Sequence, residues 1–365
     1  MDKNHANIGV DRAEGTSQRC GNLSAIIFSV DDKFVPKANA PKTLLPGQLR
    51  KLLVKEGFLD GDTDQAESVL NRISYQHLSE YFALIKKIDA KEYRSFKMLH
   101  RVAMFDRKLQ SLLMEGIGIF ELQFRAQYSY SLAAEKGAFA HRDPSNFKSQ
   151  KYYSNTLVSY EKEINRQVKK KNKTVIDALS KYGDLPLWLA VEIMSFGTLS
   201  MLYNNTRSKR VRRAVSDSFG AKYDDFTSWT RSLSALRNQC AHFGSVCPHA
   251  LISRPKRIEG LSYKDNGHFY YAILIIEYLL GHDQLYTDDP SITYSLSFAK
   301  SVVNLFNEYL RILELVGVPK NWTSLLFNET ITGAEWEHKG KVGGRIDDVY
   351  IQVTESDGTK KKINL

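Results

Sequence analysis

Residues 228–244 read S-W-T-R-S-L-S-A-L-R-N-Q-C-A-H-F-G, and their spacing sets the fold class. Trp229, Leu233, Leu236, Cys240 and Phe243 recur at steps of three and four. That lays one apolar stripe along a helix. Gly244 is the expected helix stop. On this helix stand Arg237, Asn238 and His242, a permanent cation, an amide and an imidazole. On an ideal helix, residues five apart point about 140° away from each other. Arg237 and His242 therefore converge only if the helix bends or ends near His242, or if a second helix or subunit closes over them. Spacing alone favours the plainer reading, a surface cation and a helix-end histidine, because R-x-x-x-x-H is common by chance.

Outward from this segment the same period recurs. Between Ser95 and Ala134, Met98, Val102, Phe105, Leu109, Leu112, Leu113, Ile117, Phe120, Phe124 and Tyr128 keep helical steps. Gly116 and Gly118 interrupt them and mark a close helix crossing or a bend. Pro46 and Gln48–Val54 open a short helix. Asp62 is the expected N-cap of the next one. Residues 137–155 read as a loop and Val175–Tyr182 as a short helix. Pro186 precedes another helix over Leu187–Met194. Ser195–Ser200 (SFGTLS) reads as a packing joint, because the glycine spacing of a phosphate-binding loop is absent. His268–Leu280 (HFYYAILIIEYLL) is apolar all round and Ser295–Leu315 is amphipathic. Arg345–Val353 alternates apolar and polar, and a turn at Ser356–Thr359 lets Lys360–Leu365 pair back. The expected organisation is a polar tail over residues 1–42, an all-α body over 43–330, and an extension over 331–365 ending in a small β-hairpin.

The chain has 365 residues, 51 Lys and Arg against 41 Asp and Glu, and a formal net charge of +10. That excess suits a polyanionic partner, or simply solubility. No run of about eighteen apolar residues is present, so no membrane span is expected. Ser24–Val30 lacks the basic start and long apolar core of a secretory signal, which points to the cytoplasm. Cys20, Cys240 and Cys247 make no disulfide framework. Cys240-x-His242-x4-Cys247-x-His249 offers ligand types that zinc prefers, but its spacing is unlike a finger and Cys240 lies on the apolar stripe. No metal or cofactor is expected.

Several blocks in fixed order resemble the Abi-like (abortive infection) family of bacterial phage-defence proteins, within the HEPN superfamily of all-helical RNA-cleaving domains. They are Phe105-Asp-Arg-Lys-Leu109, Ile119-Phe-Glu-Leu-Gln-Phe-Arg125, Pro186-Leu-Trp188, Ser195–Ser200, Trp229-Thr-Arg-Ser-Leu233 and Leu236-Arg-Asn-Gln-Cys-Ala-His242, with a fainter match at Gly317–Trp322. The resemblance implies a HEPN-type helical bundle with added N-terminal helices. It makes Arg237 and His242 the R-x4-H pair of a ribonuclease, with Asn238 as an orienting amide. Family members often continue with a second histidine, an arginine and a tryptophan. This chain has Phe243-Gly-Ser-Val-Cys-Pro248 instead.

The chemistry suits those residue types. A ribose 2′-hydroxyl attacks the adjacent phosphorus, so no metal-activated water is required. An imidazole takes or gives a proton near neutral pH. A guanidinium holds phosphate oxygens by two parallel hydrogen bonds. One histidine does not easily serve both sides of the phosphorus, and the resemblance implies a homodimer that supplies two pairs. Glu121 and Arg125 form an i, i+4 pair worth about 0.3–0.5 kcal/mol at a surface. The family match gives them a second role, a buried brace for the motif helix.

Two basic stretches are candidate RNA contacts: Arg207, Lys209, Arg210, Arg212 and Arg213 in one, and Lys169, Lys170 and Lys171 in the other. Tyr182 and Tyr203 lie near them as candidate stacking rings. Three functions remain open at this point. One is a defence or toxin endoribonuclease, expected to hold RNA and neither DNA nor membrane. Another is a non-cleaving protein that holds a structured small RNA. The third is a helical interaction protein.

Overall fold

A computed structural model of the chain describes residues 44–86, 94–282 and 293–328, and the backbone of residues 350–354 and 360–364. The expected tail over residues 1–42, with Cys20, lies outside the described residues, as does most of the 331–365 extension.

The described body is all-α. In chain order its helices are α1 Pro46–Lys55, α2 Asp64–Leu70, α3 Tyr75–Ser79, α4 Phe82–Lys86, α5 Phe96–Lys136, α6 Gln150–Lys169, α7 Lys173–Tyr182, α8 Leu187–Ile193, α9 Phe196–Asn205, α10 Lys209–Ser218, α11 Tyr223–Ala241, α12 Phe269–Gly281, α13 Tyr294–Glu308, α14 Leu310–Leu313 and α15 Trp322–Leu326. Residues 350–354 and 360–364 pair antiparallel, Tyr350 opposite Asn364. A terminal hairpin remains an expectation, and the fold class rests on the helices.

The spine is α5, 41 residues long and so about 60 Å from end to end. Ser95 caps it by accepting from Met98 N at 3.1 Å, and the Asp60 carboxylate accepts from Phe96 N and Lys97 N. Gly137, at φ +89°, ends it. The expected stripe from Val102 to Tyr128 is buried along its length. Helices α8, α9, α10, α11, α12 and α13 all pack on it. Phe120 and Phe124 stack, and Phe196, Phe219 and Phe226 meet Phe120 edge-on.

Gly116 and Gly118 do different things. A Cβ on Gly116 would lie 2.6 Å from Phe298 and 2.7 Å from Ile276, so this glycine is where α12 and α13 cross the spine. A Cβ on Gly118 would meet nothing within 4 Å. The helix runs through both. Helix α12 is buried nearly all round, as its composition requires. At the Ser195–Ser200 joint, Ser195 N-caps α9 by accepting from Thr198 N, and Gly197 lets α9 approach Ser234 of α11.

Three local readings change. Thr63, not Asp62, caps α2: its hydroxyl accepts from Ala66 N. The loop after α5 is shorter than expected, because Ser149 caps α6 and the helix starts at Gln150. The third concerns the end of α11. The last helical residue is Ala241, His242 is the C-cap, and Phe243 adopts the left-handed conformation at φ +58°. Phe243 N donates to Cys240 O at 3.0 Å and Gly244 N to Gln239 O at 2.9 Å. That is a Schellman stop in which phenylalanine holds the position usually given to glycine.

Candidate functional site

Arg237 sits on the flank of α11 that faces α5. Its Nε lies 3.7 Å from Glu121 Oε2, and its side chain is 37% exposed. Glu121 also accepts from Arg125 Nη2 through Oε1, and Arg125 Nη1 donates to the carbonyl of Val191 on α8. Glu121 and Arg125 are both buried. Three helices therefore meet through one carboxylate and two guanidinium groups, with Arg237 beside the Glu121–Arg125 pair. Asn238 on α11 and His242, its C-cap, are exposed. His242 N donates to Asn238 O at 3.1 Å.

The stretch just after the motif is held from α5. Asp106 is fully buried. Its carboxylate accepts from Val246 N at 2.9 Å, Cys247 N at 2.6 Å, Tyr81 Oη at 2.8 Å and Gln110 Nε2 at 3.1 Å. Gln110 Nε2 also reaches Gly244 O at 3.2 Å. From α11, Gln239 Nε2 donates to Ser245 O at 2.6 Å. Ser245 Oγ donates to Glu80. A carboxylate cradled by successive backbone N–H groups is strongly held. Burial, with Asp106 beside them, pushes the Tyr81 hydroxyl and the Cys247 thiol far up, and Cys240 up to about 12. These thiols stay protonated and inert.

Sequence reasoning did not single out Asp106, Gln110 or Gln239. The available signal was Asp106 itself, an acid on the buried face between Phe105 and Leu109. Phe243 was read as part of the apolar stripe. Its ring is instead 60% exposed, with the Arg107 guanidinium 4.3 Å from its centroid.

The basic stretches divide. Arg207 is tied to the chain, donating to Ser145 O at 3.0 Å and Phe147 O at 2.9 Å. Arg212 lies over the Tyr223 ring at 4.3 Å, with Lys148 over the same ring at 5.1 Å. Lys209, Arg210 and Arg213 are exposed on α10. Lys169, Lys170 and Lys171 are exposed at the α6–α7 tip, where Lys171 takes φ +57°. Tyr203 is not a stacking ring: it is wholly buried against Phe124, Tyr128 and Phe226. Tyr182 is exposed. Cys240 and Cys247 are buried while His242 and His249 are exposed, so the four ligand types face different surroundings.

Residues 68–247 match the family described as Abi-like protein. The chain belongs to the Abi-like family through this segment. The matched stretch ends at Cys247, one of the two residues whose backbone Asp106 holds, so it takes in Asp106, Glu121, Arg125, Arg237, Asn238 and His242. The family name ties the Abi-like chain to abortive infection, a form of bacterial phage defence. No curated protein and no solved structure matches it. Among the described residues, no helix is long and apolar enough to cross a membrane.

Proposed function

We propose that this Abi-like protein is a cytoplasmic endoribonuclease of phage defence, cutting RNA by attack of the substrate's own 2′-hydroxyl. The observation that carries the reading is the placement of Arg237. Its side chain is partly exposed, beside the buried Glu121–Arg125 pair and on the same helix end as the exposed His242. A cation fixed at its base and open at its tip suits a phosphate whose charge grows in the transition state. His242 is assigned the proton transfer and Asn238 the orientation of ring or substrate.

One R-x4-H pair per chain leaves one side of the phosphorus unserved, so a homodimer brings the second pair. Leu122, next to the brace, and Trp188, one turn before Val191, are exposed apolar residues that suit a partner copy. Lys209, Arg210 and Arg213 are assigned to the RNA backbone. Two of them stand in the first turn of α10, where cations oppose the helix dipole and an anionic ligand relieves the repulsion.

The second reading, an RNA holder that does not cut, draws on Phe243-Gly244, where relatives carry further polar groups. Purified parent, Arg237→Ala and His242→Ala proteins, incubated with RNA in chelator, separate the two. Cleavage by the parent alone, with RNA retained by all three, supports the nuclease. An inert parent that retains RNA supports the holder.

A further inference from the structure

The ring that follows the motif histidine is unusual on three independent counts. Phe243 holds φ +58°, a region where a bulky side chain is a genuine outlier. Gly244, the next residue, is not the one in that conformation. The ring is 60% exposed although it adjoins a large core. One of its faces carries the Arg107 guanidinium at 4.3 Å, and that guanidinium is aimed by its hydrogen bond to Gln110 Oε1 at 3.2 Å. Gln110 and Asp106 also pin the chain from Gly244 to Cys247. A strained, exposed aromatic held this firmly is a fixed surface feature, and strain of this kind gathers at ligand sites.

We propose that Phe243 is a stacking platform for an unpaired base of RNA, adjoining the phosphodiester offered to His242. This rests on the RNA reading above and adds to it that the bound strand must be single at this point. Base stacking on an aromatic ring tolerates any sequence but requires a base out of its duplex. Arg107 behind the ring adds a cation for the neighbouring phosphate. An apolar protein partner fits less well, because covering the ring would take the Arg107 charge and the exposed Asn238 and His242 side chains out of water.

The test uses the full chain and short 2′-O-methyl oligoribonucleotides carrying one fluorescent 2-aminopurine at successive positions. These stay intact, so cleavage plays no part in the readout. The parent should quench the probe at one position in the single strand and not in the duplex. Phe243→Gly should lose that quench and bind about 5- to 150-fold more weakly, and Phe243→Trp should restore both. Glycine adopts the local conformation freely, so this variant should melt close to the parent. Phe243→Asn is a second ring-deleted variant suited to the same backbone.

Salt-dependent binding with the same quench and affinity in parent and Phe243→Gly would overturn the platform and leave the RNA reading standing. A dimer that Phe243→Gly converts to monomer, with the quench intact, would assign the ring to a second copy and overturn the proposal. Failure of the parent to hold RNA at low salt would overturn both.

Discussion

Arg237 and Glu121, 116 positions apart in sequence, stand with Nε and Oε2 3.7 Å apart. That is an ion-pair separation, longer than a hydrogen bond. Glu121 is held more tightly by Arg125, so its carboxylate orients Arg237 without capturing it. Glu121→Ala would leave the buried Arg125 without its counter-ion, a change that typically costs about 3–5 kcal/mol. Glu121→Gln keeps the shape and should cost less. In both, cleavage should fall by at least about tenfold, about 1.4 kcal/mol of transition-state stabilisation, while RNA affinity changes less. Melting curves and single-turnover cleavage check this.

Asp106 should be the most sensitive position near the motif that never touches a ligand. Asp106→Ala strands two backbone N–H groups and the Tyr81 hydroxyl in dry interior, at about 1–3 kcal/mol for each group left unpaired. Hydrogen exchange should show the Val246 and Cys247 amides losing protection before the middle of α5. Unchanged protection at those two amides would refute the anchor.

The two glycines of α5 predict opposite signs. Gly116→Ala drives a methyl group into Phe298 and Ile276 and should destabilise by about 1–3 kcal/mol. Gly118→Ala meets open space and should stabilise by up to about 1 kcal/mol, because glycine is a poor helix former. Chemical denaturation of the two variants decides it.

Much of this was legible from spacing, since a helix that buries one stripe repeats every 3.6 residues and α5, α11, α12 and α13 are long enough to show it. The Glu121–Arg125 pair was visible for the same reason. What spacing could not show was contact between distant segments. Nothing local connects Asp106 to Val246, or separates the crossing glycine from the open one. Phe243 was misplaced because a stripe assumes the helix continues, and this helix stops one residue earlier, at His242. Tyr203 lay near basic residues in sequence, but α9 turns it into the aromatic cluster.

Two buried groups set opposing pH dependences. Burial holds His141 down at about 4, with Asp184 opposing and Arg142 adding to the effect. Both its ring nitrogens lack hydrogen-bond partners. The unfolded chain therefore binds the extra proton between about 4 and 6.5, and stability is lost as pH falls through that range. Burial lifts Glu277 to about 8, against a hydrogen bond from Ser295. Here the folded state holds the proton, and stability is lost as pH rises from about 4.5 to 8. Near pH 5–6 the two slopes cancel. Above pH 6.5 the Glu277 slope should prevail, at about 1.4 kcal/mol per pH unit. Glu277→Gln should flatten the decline between pH 6.5 and 8, as urea denaturation across that range would show.

The most direct test of the central claim removes one oxygen atom from the substrate. An RNA cut at a mapped bond is compared with the same strand carrying a single 2′-deoxy sugar on the 5′ side of that bond. The account predicts that the parent protein leaves the substituted bond intact, and that the unsubstituted strand yields a 2′,3′-cyclic phosphate and a 5′-hydroxyl. Cleavage of the 2′-deoxy bond, or a product ending in a 5′-phosphate, would contradict it.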